Sequence, residues 1–349
     1  MNRRKFLTGT AAGAAAVAAF GIGGGAQAPA GGQAPAGGQA PAAGRGRGGG
    51  PAGPIGNPGT PAMVAASKLA RISLMQLNFN GLLIPQPSAN NPNPTPNANQ
   101  TLTLFDLPKV YVENYGVHNI EFQHSNIIKV ETDPNYIKEL KAKLDEYKMT
   151  MTQVNLEIGA VESMSGADPA GREKGIAHIK QWIDICSQLG CKRIMLNQQQ
   201  GQLFKERRAD AVAFMKAAAD AGRPKGVMIS VETRRAAQPS EMVNGAPVVR
   251  DLGMKPWEFM IGIIKDAGAN SNVDIGNVGA NNQQELHDCI KAWYPYSSGN
   301  MHIKSSPFWD IGAAVRFTEG LGYKGNYAIE VGAWAGQRMV YNQILANLA

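Results

Sequence analysis

The chain has little sulfur chemistry to offer: three cysteines in 349 residues, with no Cys-x-x-Cys pair and no Cys/His zinc spacing. An odd count without regular spacing excludes a disulfide framework. Cys186 and Cys191 close one predicted helix and Cys289 lies on another, so all three read as buried free thiols. Acidic residues are missing altogether from residues 1–66, which carry Arg3, Arg4, Lys5, Arg45 and Arg47. Subtracting those five charges from the net +7 leaves +2 for the remainder. A nearly neutral body lacks the clustered Lys and Arg that displace counterions from nucleic acid, and that partner class is excluded. Beyond the first residues no apolar run approaches the roughly 20 needed to span a bilayer, so no stable membrane span is expected in the mature form. Nor does a Gly-x-Gly-x-x-Gly turn follow any early strand, which removes the main reason to expect a dinucleotide-binding fold.

What is present begins with a leader. Asn2-Arg-Arg-Lys-Phe-Leu-Thr8 sets a twin arginine before an Ala/Gly-rich run from Ala11 to Ile22, and Ala26-Gln-Ala28 is an A-x-A-like cleavage site. Residues 1–28 therefore resemble a twin-arginine export signal. They imply the Tat machinery as a partner and a periplasmic or otherwise exported location. Pro29 disfavours cleavage at the adjoining bond, which leaves cleavage elsewhere or an uncleaved anchor as alternatives. Residues 29–66 form a low-complexity linker. There Ala28-Pro-Ala-Gly-Gly-Gln33 repeats over 34–39 and decays into Gly44-Arg-Gly-Arg-Gly48, too poor in apolar surface to offset its ordering entropy.

The folded body is expected over 67–349. Strands are predicted at 72–77, 117–123, 149–156, 192–196, 227–231, 272–275, 299–303 and 326–331. Helices are predicted at 102–115, 134–147, 170–189, 203–221, 256–267, 283–292, 309–321 and 334–348, and an Asn/Pro-rich loop fills 78–101. Strict alternation of strand and helix argues for a parallel sheet with helical crossovers. Eight repeats in about 280 residues match a closed (β/α)8 TIM barrel of the α/β class, with an open doubly wound sheet as the alternative.

In such a barrel the chemistry sits where the strands end. Polar residues close them: Asn78, Glu121 and His124, Asn155 and Glu157, Asn197, Glu232, Asp274, His302 and Glu330. The last four follow one another at intervals of 42, 28 and 28 residues, about one strand-plus-helix unit each. Three converging carboxylates without a basic partner repel one another, and a divalent cation relieves that repulsion. Two Glu, one Asp and one His make an oxygen/nitrogen set suited to Mn²⁺, Mg²⁺ or Co²⁺, with Fe²⁺ or Zn²⁺ also possible. Each residue has a plainer reading: Glu232 paired with Arg234 or Arg235, Asp274 capping a turn, His302 hydrogen-bonded in the core, Glu330 at a helix start.

The body also resembles a known group. Gly116-Val-His-Asn-Ile-Glu121, Leu189-Gly190-Cys191, Ser230-Val-Glu232, Asp274-Ile-Gly-Asn277, His302-Ile-Lys304 and Ala328-Ile-Glu330 occur in the order seen in the xylose-isomerase-like TIM-barrel superfamily, the sugar phosphate isomerase/epimerase group. The resemblance implies that Glu232, Asp274, His302 and Glu330 bind one divalent metal and that Glu232 and Glu330 exchange protons with substrate. Glu121, His124, Asn155, Asn197, Arg234, Asn277 and Lys304 are the expected substrate contacts. Asn277 stands where many epimerases carry His, and Ser305 where Asp commonly follows His-x-Lys. The implied function is a metal-dependent isomerase or epimerase that abstracts a proton beside the carbonyl of a small sugar or keto-sugar. The alternatives are a periplasmic 3-keto-glycoside or polyol lyase/hydratase on the same site, and a non-catalytic carbohydrate-binding barrel. The oligomeric state is not readable from the sequence.

Overall fold

The computed structural model describes residues 64–86, 93–197, 203–233 and 238–349, apart from the side chains of Asn197 and Glu241. The expected export signal, nearly all of the linker, and Arg234 lie outside the described residues. A helical turn, α1 (Ala66–Leu69), leads into β1 (Ile72–Met75), and α2 (Leu107–Tyr115) leads into β2 (Asn119–Gln123). Then follow α3 (Pro134–Glu146), β3 (Thr150–Glu157), α4 (Pro169–Leu189), β4 (Arg193–Asn197), α5 (Arg208–Gly222) and β5 (Met228–Glu232). A hairpin, β6 (Ser240–Val243) and β7 (Ala246–Val249), interrupts the alternation before α6 (Pro256–Ala267) and β8 (Asn270–Asp274). The chain closes with α7 (Gln283–Trp293), β9 (Ser297–Ile303), α8 (Ile311–Gly320), β10 (Asn326–Ile329) and α9 (Trp334–Asn347).

Eight strands form a closed barrel in the order β1-β10-β9-β8-β5-β4-β3-β2, and every neighbouring pair is parallel. The open-sheet alternative is thereby removed: the fold is a (β/α)8 barrel. Local chemistry sets the units. Asp133 and Asp168 accept the first helical N–H groups of α3 and α4, each followed by a proline that fixes φ at the first helical position. Helix α6 buries Trp257, Met260, Ile263, Ile264 and Ala267, a helical stripe laid against the barrel. No helix among the described residues is long and apolar enough to cross a membrane.

Besides shifted ends, such as α2 beginning at Leu107 rather than 102 and β1 ending at Met75 rather than 77, the following details differ from the sequence expectation. Helix α5 starts at Arg208 rather than 203, because Leu203 and Phe204 are buried ahead of a single 3-10 turn. The hairpin falls in a stretch where no element is predicted from the sequence; Asn244 and Gly245 take left-handed φ values of 51° and 80° at its two-residue turn. The barrel interior carries a polar layer, with Gln153, Asn155, Ser230, Asn272 and Asn300 all buried beside the acids. The three cysteines are buried and free, as expected.

Candidate metal centre

Parallel strands deliver their last residues to one end of the barrel. Glu232 ends β5, Asp274 ends β8, His302 is the penultimate residue of β9, and Glu330 follows β10 directly. One ligand atom from each lies within 4.8 Å of all the others. The Nδ1 atom of His302 faces all three acids, at 3.0 Å from Glu330 Oε2, 3.3 Å from Glu232 Oε1 and 3.7 Å from Asp274 Oδ2. Asp274 splits its two oxygens: Oδ1 accepts from the Gly276 and Asn277 N–H groups, and Oδ2 faces the cluster. Turn-capping and a ligand role are thus compatible in one side chain.

Lys304 reaches in from two residues beyond His302. Its Nζ lies 2.9 Å from both Asp274 Oδ2 and Glu330 Oε1. Gly276 makes room for it, since a Cβ there would meet Lys304 Cγ at 2.2 Å. Asn277 Nδ2 donates to Glu232 Oε1 at 3.0 Å and to Asp274 Oδ2 at 2.9 Å. Glu330 is set by Asn78, whose amide spans it: Nδ2 donates to Ile329 O, and Oδ1 accepts from the Val331 and Gly332 N–H groups.

Lys304 and the His302 ring lie among Glu121, Glu232, Asp274 and Glu330. Burial, reinforced by the charges of Glu330 and Glu232, pushes the Asp274 carboxyl up to about 7 against the pull of Lys304. Burial also opposes ionisation of Glu330, yet His302 and Lys304 outweigh it and draw that carboxyl down to about 2. The two diverge because Asp274 is wholly enclosed, whereas Glu330 keeps 20% of its side-chain surface exposed and lies closer to Nδ1. Burial works against a charged His302 ring, but Glu121, then Asp274 and Glu232, hold it well above the ordinary histidine value. A divalent cation fits the donor set: three carboxylates and an imidazole nitrogen converge, buried or nearly so.

The other expected site residues divide. Lys304 and Asn277 join the cluster. Glu121 and Asn155, expected at the substrate, lie deeper and are bonded to each other at 2.7 Å. Glu121 stands two residues short of the end of β2 and has no exposed surface. His124 accepts the Glu157 N–H and packs edge-on to Trp182, with ring centroids 5.8 Å apart, and makes no contact with the cluster among the described residues. The Asn197 side chain and Arg234 lie outside the described residues. Sequence reading missed Gln153 and Asn300, which also reach Glu121. Their signal was the alternation Gln153/Asn155 and Asn300/His302 along single strands.

A family model described as xylose isomerase-like TIM barrel matches residues 111–324, more than half of the chain. The chain belongs to the xylose isomerase-like TIM barrel family. Three of the proposed ligands fall inside the match, and Glu330 lies just past it. None of the curated proteins matches the sequence. Solved structures with this family's fold include 3-keto-D-glucoside 4-epimerase from E. coli, at 12% identity and TM-score 0.56, covering 79% of this chain and 99% of that one. D-allulose 3-epimerase from Methylomonas sp. aligns at 16% identity and TM-score 0.53, over 79% of this chain and 96% of that one. A xylose isomerase-like TIM barrel protein from Mycobacterium smegmatis, solved in complex with magnesium, aligns at 16% identity and TM-score 0.53, over 82% of this chain and 100% of that one. At such identities the likeness is one of fold.

Proposed function

We propose that this barrel is a divalent-metal-dependent isomerase or epimerase that moves a proton beside the carbonyl of a sugar or keto-sugar. The observation that carries the proposal is the convergence of Glu232, Asp274, His302 and Glu330 within 4.8 Å at one end of the barrel. A divalent ion held by these four would polarise the substrate carbonyl and its neighbouring hydroxyl, so that the adjacent C–H proton becomes removable near neutral pH. The protein groups then have distinct tasks. Of the two acids Glu232 and Glu330, one takes the C–H proton and the other returns a proton to the opposite face. Asn277, donating to Glu232 and Asp274, and Lys304, donating to Asp274 and Glu330, fix the directions in which those carboxylates point. The same reading includes export by the twin-arginine route, which rests on the Arg3-Arg4 motif.

The test is a wash-in of solvent deuterium. Metal-loaded protein incubated in D₂O with a panel of ketohexoses and 3-keto-glycosides is expected to label at least one at the carbon beside its carbonyl, and EDTA should stop the labelling. Labelling of none across the panel would count against proton abstraction as the reaction.

A further inference from the structure

We infer that Glu121 is a positioning residue for the metal centre: it fixes which nitrogen of His302 is free to bind the ion. The inference rests on the metal-binding reading above. A neutral imidazole has one N–H and one bare nitrogen, and only the bare nitrogen can be a ligand. In His302 the two nitrogens face different worlds. Nδ1 points at Glu232, Asp274 and Glu330, while Nε2 lies 2.6 Å from Glu121 Oε1. If the proton sat on Nδ1, the cluster would lose its only nitrogen donor.

Three amides determine the outcome. Asn155 Nδ2 donates to Glu121 Oε1 at 2.7 Å, Gln153 Nε2 to the same oxygen at 3.2 Å, and Asn300 Nδ2 to Oε2 at 2.8 Å. Surrounded by donors, Glu121 is held as an acceptor, so the group it receives from Nε2 must be an N–H. The Gln153 amide nitrogen also lies 3.3 Å from Nε2. Its hydrogens are directed at Glu121 and at Asn155 Oδ1, 3.0 Å away, so it leaves Nε2 nothing to accept. When an ion displaces the proton that the three acids otherwise hold on Nδ1, the remaining proton therefore resides on Nε2 and Nδ1 is bare.

The layer is built across the barrel. Glu121 comes from β2, two amides from β3 and one from β9, which also carries His302 itself. β2 and β9 are separated in the strand order by β1 and β10, so the contact crosses the interior. A carboxylate on the remote nitrogen also raises the basicity of the ligating one. Loss of such a partner costs about 10- to 100-fold in metal affinity.

Two measurements test the inference on the full chain. Calorimetric titration of Mn²⁺ into metal-free protein should give a Kd about 10- to 100-fold weaker for Glu121→Gln than for the wild type. Ring ¹⁵N spectra of the Mg²⁺-loaded wild type, which need no variant to fold, should show the His302 hydrogen on Nε2. A hydrogen on Nδ1, or equal Mn²⁺ affinity in wild type and a folded Glu121→Gln, overturns the inference and leaves the metal reading standing. A wild type that takes up no Mn²⁺ overturns the metal reading and the inference with it.

Discussion

The Glu330→Gln variant is expected to exchange substrate hydrogen with solvent about 10²- to 10⁴-fold more slowly than the wild type, the range a positioned acid or base contributes. The amide cannot take a proton from carbon at neutral pH. It also removes one of the four converging ligands and one of the two acids that share Lys304. Glu232→Gln is expected to act similarly, and combining the two should add little, since residues that work as a unit are not additive. The fold should survive either change: Glu330 retains solvent access, and Lys304 keeps Asp274 as a partner. A thermal melt within a few degrees of wild type, alongside the deuterium wash-in rate, separates loss of chemistry from loss of structure. Wild-type exchange in either single variant would show that the two-acid assignment is wrong.

The largest expected effect on stability lies away from the site, at Gly175→Ala. Glycines 171 and 175 are one helical turn apart in α4, and the backbone after β3 runs against that face. A Cβ on Gly175 would lie 1.9 Å from Glu162 O and 2.9 Å from Glu162 C, with the Phe214 ring at 3.3 Å behind them. The obstruction is backbone, so no rotamer change relieves it; the loop or the helix must move. Gly171 meets Val161 O at 2.5 Å in the same manner. Overpacking of this kind costs about 1–3 kcal/mol and sometimes more, and the rigidity of the obstacle puts Gly175→Ala at about 3 kcal/mol or above. At roughly 2–4 °C per kcal/mol for a chain of this order of size, Tm should fall by about 6 °C or more. An unchanged melting curve would mean that the close approach of α4 to the loop is not part of the native packing.

Much of this fold was legible because its repeat is coarse. The eight strand-then-helix units need only hydrophobic runs, N-terminal Asp-Pro pairs and helix-ending glycines to be seen, and those are local. The convergence of the four candidate ligands was legible for a related reason: strand ends at one-unit intervals must come to one rim once the sheet is parallel. Depth inside the barrel was not legible. Glu121 sits in Ile-Glu-Phe and reads as a rim acid like the others, but its level follows from register, including a shift in β2–β3 pairing between Ile120 and Glu121. Register depends on both strands, and neither encodes it alone. The Asn244-Gly245 turn carried a local hairpin signal, but Pro247 in the returning strand masked it, because proline argues against a paired strand.

Metal uptake is the measurement that reaches the centre of this account. Protein purified folded and stripped with EDTA should bind one Mn²⁺ or Mg²⁺ per chain by elemental analysis after dialysis. At a free ion concentration 100 times Kd the native state gains about 2.7 kcal/mol, which raises Tm by roughly 5 °C or more, and EDTA should reverse the shift. A chain that retains no divalent ion and melts identically with Mn²⁺, Mg²⁺ or EDTA would contradict it.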